Sequence, residues 1–124
     1  MLGLLTSILK DNTNVGITEK KNDSLPAMIK HYIDYNYQNP ISLESLEKQF
    51  HYSRFYISRT FLAYTGKTVI RYASDKRLDH AKKLLRKGIP VSGIVEELHY
   101  GSIYAFSRHF KKETGMSPSA YKNR

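Results

Sequence analysis

The residues best placed to do chemistry are two arginines and two serines that recur among the same neighbours. Phe55 to Thr68 reads FYISRTFLAYTGKT, and Tyr104 to Ser117 reads YAFSRHFKKETGMS. Ser58-Arg59 and Ser107-Arg108, Phe61 and Phe110, and Thr65-Gly66 and Thr114-Gly115 all stand 49 residues apart. A guanidinium presents paired donors that fit guanine O6 and N7, a serine hydroxyl donates or accepts at several base edges, and aromatic or aliphatic groups meet thymine methyls. The chemistry implied is the reading of base edges. Catalysis finds no comparable set. His31, His51, His80, His99 and His109 show no HExxH spacing and no carboxylate-histidine cluster at metal-ligand spacing, and there is no Ser-His-Asp constellation, phosphate-cradling glycine loop or dinucleotide fingerprint. We expect neither an enzyme nor a metal or cofactor.

Composition agrees with a polyanion as partner. The 124 residues carry a formal charge of +9 and a pI near 9.7, which points to nucleic acid or an acidic membrane surface. The placement of charge is more telling than its sum. No acid lies between Glu47 and Asp75, although Lys48, Arg54, Arg59, Lys67 and Arg71 do; between Glu97 and Glu113 the only formal charges are Arg108, Lys111 and Lys112. The two acid-free windows contain the two copies of the repeat. Zero cysteines remove disulfides, thiol nucleophiles and cysteine-ligated zinc. No apolar run is long enough to cross a bilayer, and Met1 to Lys10 lacks the charged start and cleavage site of a signal peptide. The expected location is cytoplasmic and nucleoid-associated, with no membrane partner.

Helices must position these side chains. Residues 1–24 divide into an apolar start, MLGLLTSILK, and a polar stretch that reads as a linker. Ser24 is placed to cap a first helix, with Leu25, Met28, Ile29, Tyr32 and Ile33 as its apolar stripe. Ser42 caps a second, with Leu43, Leu46 and Phe50 inward, and a tight break follows at His51-Tyr52. Ser53 caps a third that buries Ile57, Phe61 and Tyr64 and turns Arg54, Phe55, Ser58, Arg59 and Leu62 outward. Two short helices joined by a turn of three or four residues make a helix-turn-helix.

Gly66 ends that helix, and Thr68 caps a longer one from Val69 to Lys87, closed by Gly88, with Ile70, Ala73, Leu78, Ala81, Leu84 and Leu85 as its apolar positions. At 1.5 Å per residue it forms a rod of roughly 28 Å. The second copy then repeats the pattern. Val91, Ile94 and Leu98 stand for Leu43, Leu46 and Phe50; His99-Tyr100 stands for His51-Tyr52; Ser102 caps the second outward-facing helix; and Ser117-Pro118 opens a last one carrying Ala120 and Tyr121. A positive φ is expected in the interhelical turn at His99, where glycine is usual. No stretch alternates with a strand period, so the fold class is all-α.

In a helix-turn-helix the second helix enters the major groove and outward residues of its first half meet base edges. The base-contacting candidates are therefore Arg54, Phe55, Ser58 and Arg59 in the first copy and Ile103, Tyr104, Ser107, Arg108 and Lys111 in the second. Phosphate contacts are expected from helix starts and nearby donors: Ser42, Ser53, Lys67, Thr68, Arg71, Ser102, Lys112 and Ser117. Leu62 and Ala63 occupy the places of Lys111 and Lys112, which leaves the first copy with less phosphate-binding charge. Major-groove faces on one side of B-DNA recur about every 34 Å. A single chain with a rod of that order can read two of them, and bending the duplex to fit costs about 1–6 kcal/mol.

These residues closely resemble the DNA-binding domain of the AraC/XylS family of bacterial transcription regulators. The similarity runs from about Leu25 to Arg124 and is carried by ISLESL with HYSRFYISRTF, by TGKTVIRYASDKRLDHAKKLL, and most specifically by FSRHFKKETGMSPSAYK. The resemblance implies about seven helices in a homeodomain-like arrangement. A first helix-turn-helix subdomain would span 25–68, a connecting helix 69–88 and a second subdomain 89–124. It further implies recognition helices over Arg54 to Tyr64 and Ser102 to Glu113, binding to roughly two turns of double-stranded DNA, and activation through RNA polymerase. Residues 1–24 resemble a linker or the end of an interdomain helix, so an N-terminal sensor or receiver domain is a further expected partner. Two departures stand out: Glu47 and Val95 occupy positions where a small residue is common, and His99-Tyr100 replaces Gly-Phe. An alternative of another class, a basic helical module docking on protein or RNA, stays open from the residues alone. A DNA-repair alkyl acceptor of the kind fused to this fold lacks its cysteine.

Overall fold

The computed structural model describes the backbone of residues 15–123 and the side chains of residues 25–123. Its helices among the described residues are α1 (Val15–Asn36), α2 (Leu43–Phe50), α3 (Arg54–Thr65), α4 (Val69–Arg86), α5 (Val91–Glu97), α6 (Ile103–Thr114) and α7 (Pro118–Lys122). The all-α architecture is the expected one: two helix-turn-helix units, α2–α3 and α5–α6, on either side of α4. One boundary differs. Helix α1 already runs from Val15, so Ser24 lies inside it and is not its cap, and Pro26 sits within the helix. The reading of 11–24 as a linker rested on polarity, yet the stretch contains Glu19, Lys20 and Lys21, which are good helix formers. The expectation for MLGLLTSILK lies outside the described residues.

Two hydrophobic clusters form, and α4 supplies both in turn. Val69 and Ala73 join Leu25, Ile29, Ile33, Leu46, Ile57 and Phe61 in the first; Leu78, Ala81, Leu84 and Leu85 join Ile94, Leu98, Phe106 and Phe110 in the second. Ile57 and Phe61 correspond to Phe106 and Phe110 at the repeat offset, and all four are fully buried. Tyr37 packs against both clusters. The helical phase corrects three expected core positions. Met28, Ile70 and Tyr64 are about half exposed. Leu25, Ile29 and Ile33 follow one another at i, i+4 and i+8 and turn Met28 aside. Val69 takes the inward place beside Ala73 that Ile70 was expected to fill. Tyr64 shares a side with Ile57 but falls in the last turn of α3, where its ring keeps its hydroxyl in water.

The turns repeat in detail. Ser42, Ser53, Thr68, Ser102 and Ser117 are N-caps whose hydroxyls accept the N–H three residues on. Removing one such cap costs about 0.5–2 kcal/mol. Thr68 and Ser117 share the same backbone angles, φ −68° and ψ 159°. Ahead of each, a threonine locks the turn: Thr65 Oγ1 lies 2.9 Å from Phe61 O and accepts Lys67 N–H at 3.1 Å, and Thr114 Oγ1 lies 2.8 Å from Phe110 O and accepts Met116 N–H at 3.2 Å. The positive φ expected at His99 is present at 57°, and His51 has the same feature at 63°. Both histidines hold a left-handed conformation that costs a non-glycine residue energy.

Candidate nucleic-acid interface

The same helical period that buries Ile57 and Phe61 turns Arg54, Phe55, Ser58 and Arg59 to the other side of α3. Phe55 is 80% exposed. On α6, Ile103, Tyr104, Ser107, Arg108 and Lys111 lie opposite Phe106 and Phe110, and Tyr104 is 69% exposed. Core packing is thereby excluded for both aromatics. A large apolar ring left in water on the outward face of a helix is the kind of exposure that marks a contact surface. On α3 the surface continues as a groove lined by Leu43, Phe55, Ser58, Arg59, Leu62, Val69 and Ile70.

The cations on these faces fall into two groups. Arg59, Lys111 and Lys112 make no ion pair among the described residues, and the Arg108 guanidinium lies 5.5 Å from the Tyr104 ring centre on the same face of α6. Their charge is available to an external anion. Arg54, Lys67 and Arg71 are instead drawn to carboxylates. Arg54 Nη2 donates to Glu47 Oε1 at 3.0 Å and its backbone N–H to Glu47 Oε2 at 2.7 Å. Lys67 Nζ lies 2.7 Å from Asp75, and Arg71 reaches both Asp75 at 3.2 Å and Glu113 at 2.7 Å. The Arg71–Glu113 pair ties the start of α4 to the end of α6. The five capping hydroxyls each spend a lone pair on the helix and keep the O–H as a donor, so a cap can also donate to a phosphate.

A set of cross-braces that sequence reasoning missed holds the two units on α4. Arg77 donates to Leu98 O at 2.6 Å and lies over the Tyr100 ring at 4.2 Å, its Nε buried without a hydrogen-bond partner. His80 Nδ1 meets Tyr37 Oη at 2.6 Å while its Nε2 lies 3.0 Å from Glu97, joining the segment after α1 to α4 and α5. His99 Nδ1 meets Gln38 O at 2.7 Å. On α6, His109 Nε2 and Nδ1 lie 3.0 Å from Ser74 Oγ and Tyr100 Oη. His80, His99 and His109 thus serve as spacers in the frame, and no group of three or more His, Cys, Asp or Glu suited to a metal ion stands among the described residues. No helix among them is long and apolar enough to cross a membrane.

Burial holds the His109 imidazole below its ordinary pKa, against the pull of Glu113 and with added push from Arg77, Arg71 and Lys112. The folded state therefore favours the neutral ring, whereas the unfolded chain takes up a proton below about pH 6.5. Stability from this group is complete above that value and falls as the pH drops. Thermal melts between about pH 7.5 and pH 5 should show declining stability, and His109→Gln should flatten that decline; an unchanged pH slope in the variant contradicts the assignment.

A helix-turn-helix domain family model matches residues 46–124. The chain is 33% identical over 94 residues to the regulatory protein SoxS of Salmonella typhimurium, a match covering 75% of this chain and 88% of that protein. It is 33% identical over 93 residues to the uncharacterized HTH-type transcriptional regulator YobQ of Bacillus subtilis; that match covers 74% of this chain and 39% of YobQ, so the chain spans well under half of this longer relative. Among solved structures, the C-terminal domain of AraT, a response regulator from Geobacillus stearothermophilus, superposes with a TM-score of 0.75 at 28% identity, over 79% of this chain and 83% of that one.

Proposed function

The chain belongs to the AraC family of helix-turn-helix transcription regulators, and from that premise we propose that it is a sequence-specific double-stranded DNA-binding domain that places α3 and α6 in adjacent major-groove segments. The observation that carries this reading is the pair of matching outward faces. Each combines an exposed aromatic, a serine and an arginine opposite a buried pair of apolar residues. Arg54, Phe55, Ser58 and Arg59 read bases from α3, and Ile103, Tyr104, Ser107, Arg108 and Lys111 read them from α6. Ser42, Ser53, Thr68, Ser102 and Ser117 donate to phosphates beside their caps, with Lys112 as the main phosphate-binding cation of the second unit. Lys67 and Arg71 reach phosphate by leaving Asp75 and Glu113, which makes their contribution smaller. Helix α4, 18 residues long and so roughly 27 Å, sets the separation of the two readers.

In this reading the domain works in the cytoplasm on the nucleoid and activates transcription through RNA polymerase. Its signal comes from a sensor or receiver domain; AraT is described as a response regulator. Lys112→Ala should weaken binding to all duplexes alike and reduce the salt slope by about 1, because it removes a phosphate contact and no base contact. Titrations at several salt concentrations check this, and a loss confined to one sequence contradicts it.

The test of the function is a gel-shift competition at fixed salt between genomic fragments and nonspecific duplex. A sequence-specific regulator shows at least one fragment retained about 10³-fold or more over nonspecific duplex. Uniform competition by all duplexes, or preference for RNA, favours a basic module that grips polyanions without reading them.

A further inference from the structure

One carboxylate in the first unit holds the leading arginine of its recognition helix by two separate groups. Glu47 Oε2 accepts the backbone N–H of Arg54 at 2.7 Å, and Glu47 Oε1 accepts Arg54 Nη2 at 3.0 Å. Arg54 is the first residue of α3, so its N–H is one that the helix cannot satisfy internally. The Ser53 hydroxyl meanwhile caps Tyr56 N–H, leaving Glu47 to a different donor. The guanidinium remains about half exposed, and its Nη1 and Nε donors are uncommitted.

Neither charge is needed to build the motif. In the second unit Val95 stands for Glu47 and Ile103 for Arg54, so both partners are missing together. Yet Ile94, Phe106 and Phe110 are buried there as fully as Leu46, Ile57 and Phe61 are in the first. Exposed ion pairs contribute little to stability. A negative charge next to a helix that meets phosphates also repels the ligand. The pair therefore has a cost in affinity and a small return in folding, which directs attention to what it does to Arg54. A free arginine on a helix start samples many rotamers. One held at Nη2 and at its own main chain presents a planar guanidinium in a limited set of directions, with donors left for a bidentate contact.

Resting on the DNA-reading function above, we propose that Glu47 is a positioning residue that presets Arg54 to read one guanine in the half-site bound by α3, with no counterpart in the half-site bound by α6. Glu47 raises selectivity at that base and lowers indiscriminate attraction to phosphate. The two halves of the operator consequently differ at the base met by the helix start: the oriented Arg54 reads it in one, and the aliphatic Ile103 meets it in the other.

The experiment uses the full chain and a duplex enriched by the wild type from a random pool. Binding at fixed salt is compared for wild type, Glu47→Gln, Glu47→Ala, Arg54→Ala and the Glu47→Ala/Arg54→Ala pair. Guanines are replaced singly by 7-deazaguanine, which deletes the N7 acceptor, or by adenine. The α3 half-site is the one whose base preference Arg59→Ala relaxes. For wild type, one guanine there should matter by about 5- to 150-fold against adenine, the range of a bidentate contact. Glu47→Ala should erode that discrimination several-fold while strengthening binding to random duplex. Glu47→Gln, which keeps an acceptor for the Arg54 N–H, should do so to a lesser degree. Arg54→Ala should abolish the discrimination, and adding Glu47→Ala to it should change nothing more at that base. Discrimination that survives in both Glu47 variants, or that falls equally in both half-sites, overturns the proposal and leaves Glu47 a structural cap. Failure of the pool to yield any enriched duplex overturns the DNA-reading function itself, a result distinct from the first.

Discussion

Phe61→Ala should destabilise the protein by about 3–5 kcal/mol, the cost of emptying a well-packed aromatic site. The ring is fully buried and meets Tyr72 edge-on at 5.5 Å between centroids, inside the cluster formed by α1, α2, α3 and the start of α4. Small domains hold only about 5–15 kcal/mol in total, so this single change removes much of what is available. Because Phe61 belongs to the first of two clusters, the lesion should be uneven. Amide protection in α3 should fall further than protection in α6, whose own Phe110 packs edge-on against Tyr121 at 5.3 Å. Urea denaturation and hydrogen exchange check both parts. A loss below about 1 kcal/mol, or equal loss of protection in both helices, contradicts the division into two cores.

Arg59→Ala and Arg108→Ala should each cost about 1–3 kcal/mol of specific binding and relax the preference at one base position. Neither arginine makes an ion pair among the described residues; Arg108 has only the Tyr104 ring beside it. The variants should therefore fold with unchanged melting temperature within a few degrees, which separates a reading role from a structural one. The effect should also be local to the half-site, since the two arginines sit on different recognition helices. Equal losses on enriched and random duplexes would assign both to phosphate rather than to bases.

Much of the framework was legible because its signals are local. A capping hydroxyl, a Thr-Gly turn and an apolar stripe each act within a few residues, and each occurs twice at one spacing. Two copies of FYISRTF-like sequence cannot bury the same pair and expose the same pair by accident of phase, so the outward faces followed from the period alone. The positive φ at His99 followed from the place of the turn.

What escaped the sequence is tertiary. The windows from Glu47 to Asp75 and from Glu97 to Glu113 contain no acid along the chain, but acids border them, and the fold brings those borders inward. Glu47 reaches Arg54 across the turn, Asp75 takes Arg71 from one turn away on α4 and Lys67 from ahead of that helix, and Glu113 takes Arg71 from the far unit. Three of the basic residues assigned to DNA therefore begin in partnership with carboxylates. The cross-braces at Arg77, His80 and His109 join residues 9 to 43 positions apart, with no spacing rule to announce them. Polarity also misled at the first helix, where charged residues suggested a linker and α1 instead extends back to Val15.

The central claim, that one chain reads duplex DNA with two unequal recognition helices held by α4, is tested most directly by selecting bound duplexes from a random pool with the full chain. Two short motifs whose centres lie about one helical turn, 10–10.5 base pairs, apart are the predicted result. Arg59→Ala should blur one of them and Arg108→Ala the other. A single uninterrupted motif, two motifs at variable spacing, or no enrichment would contradict it.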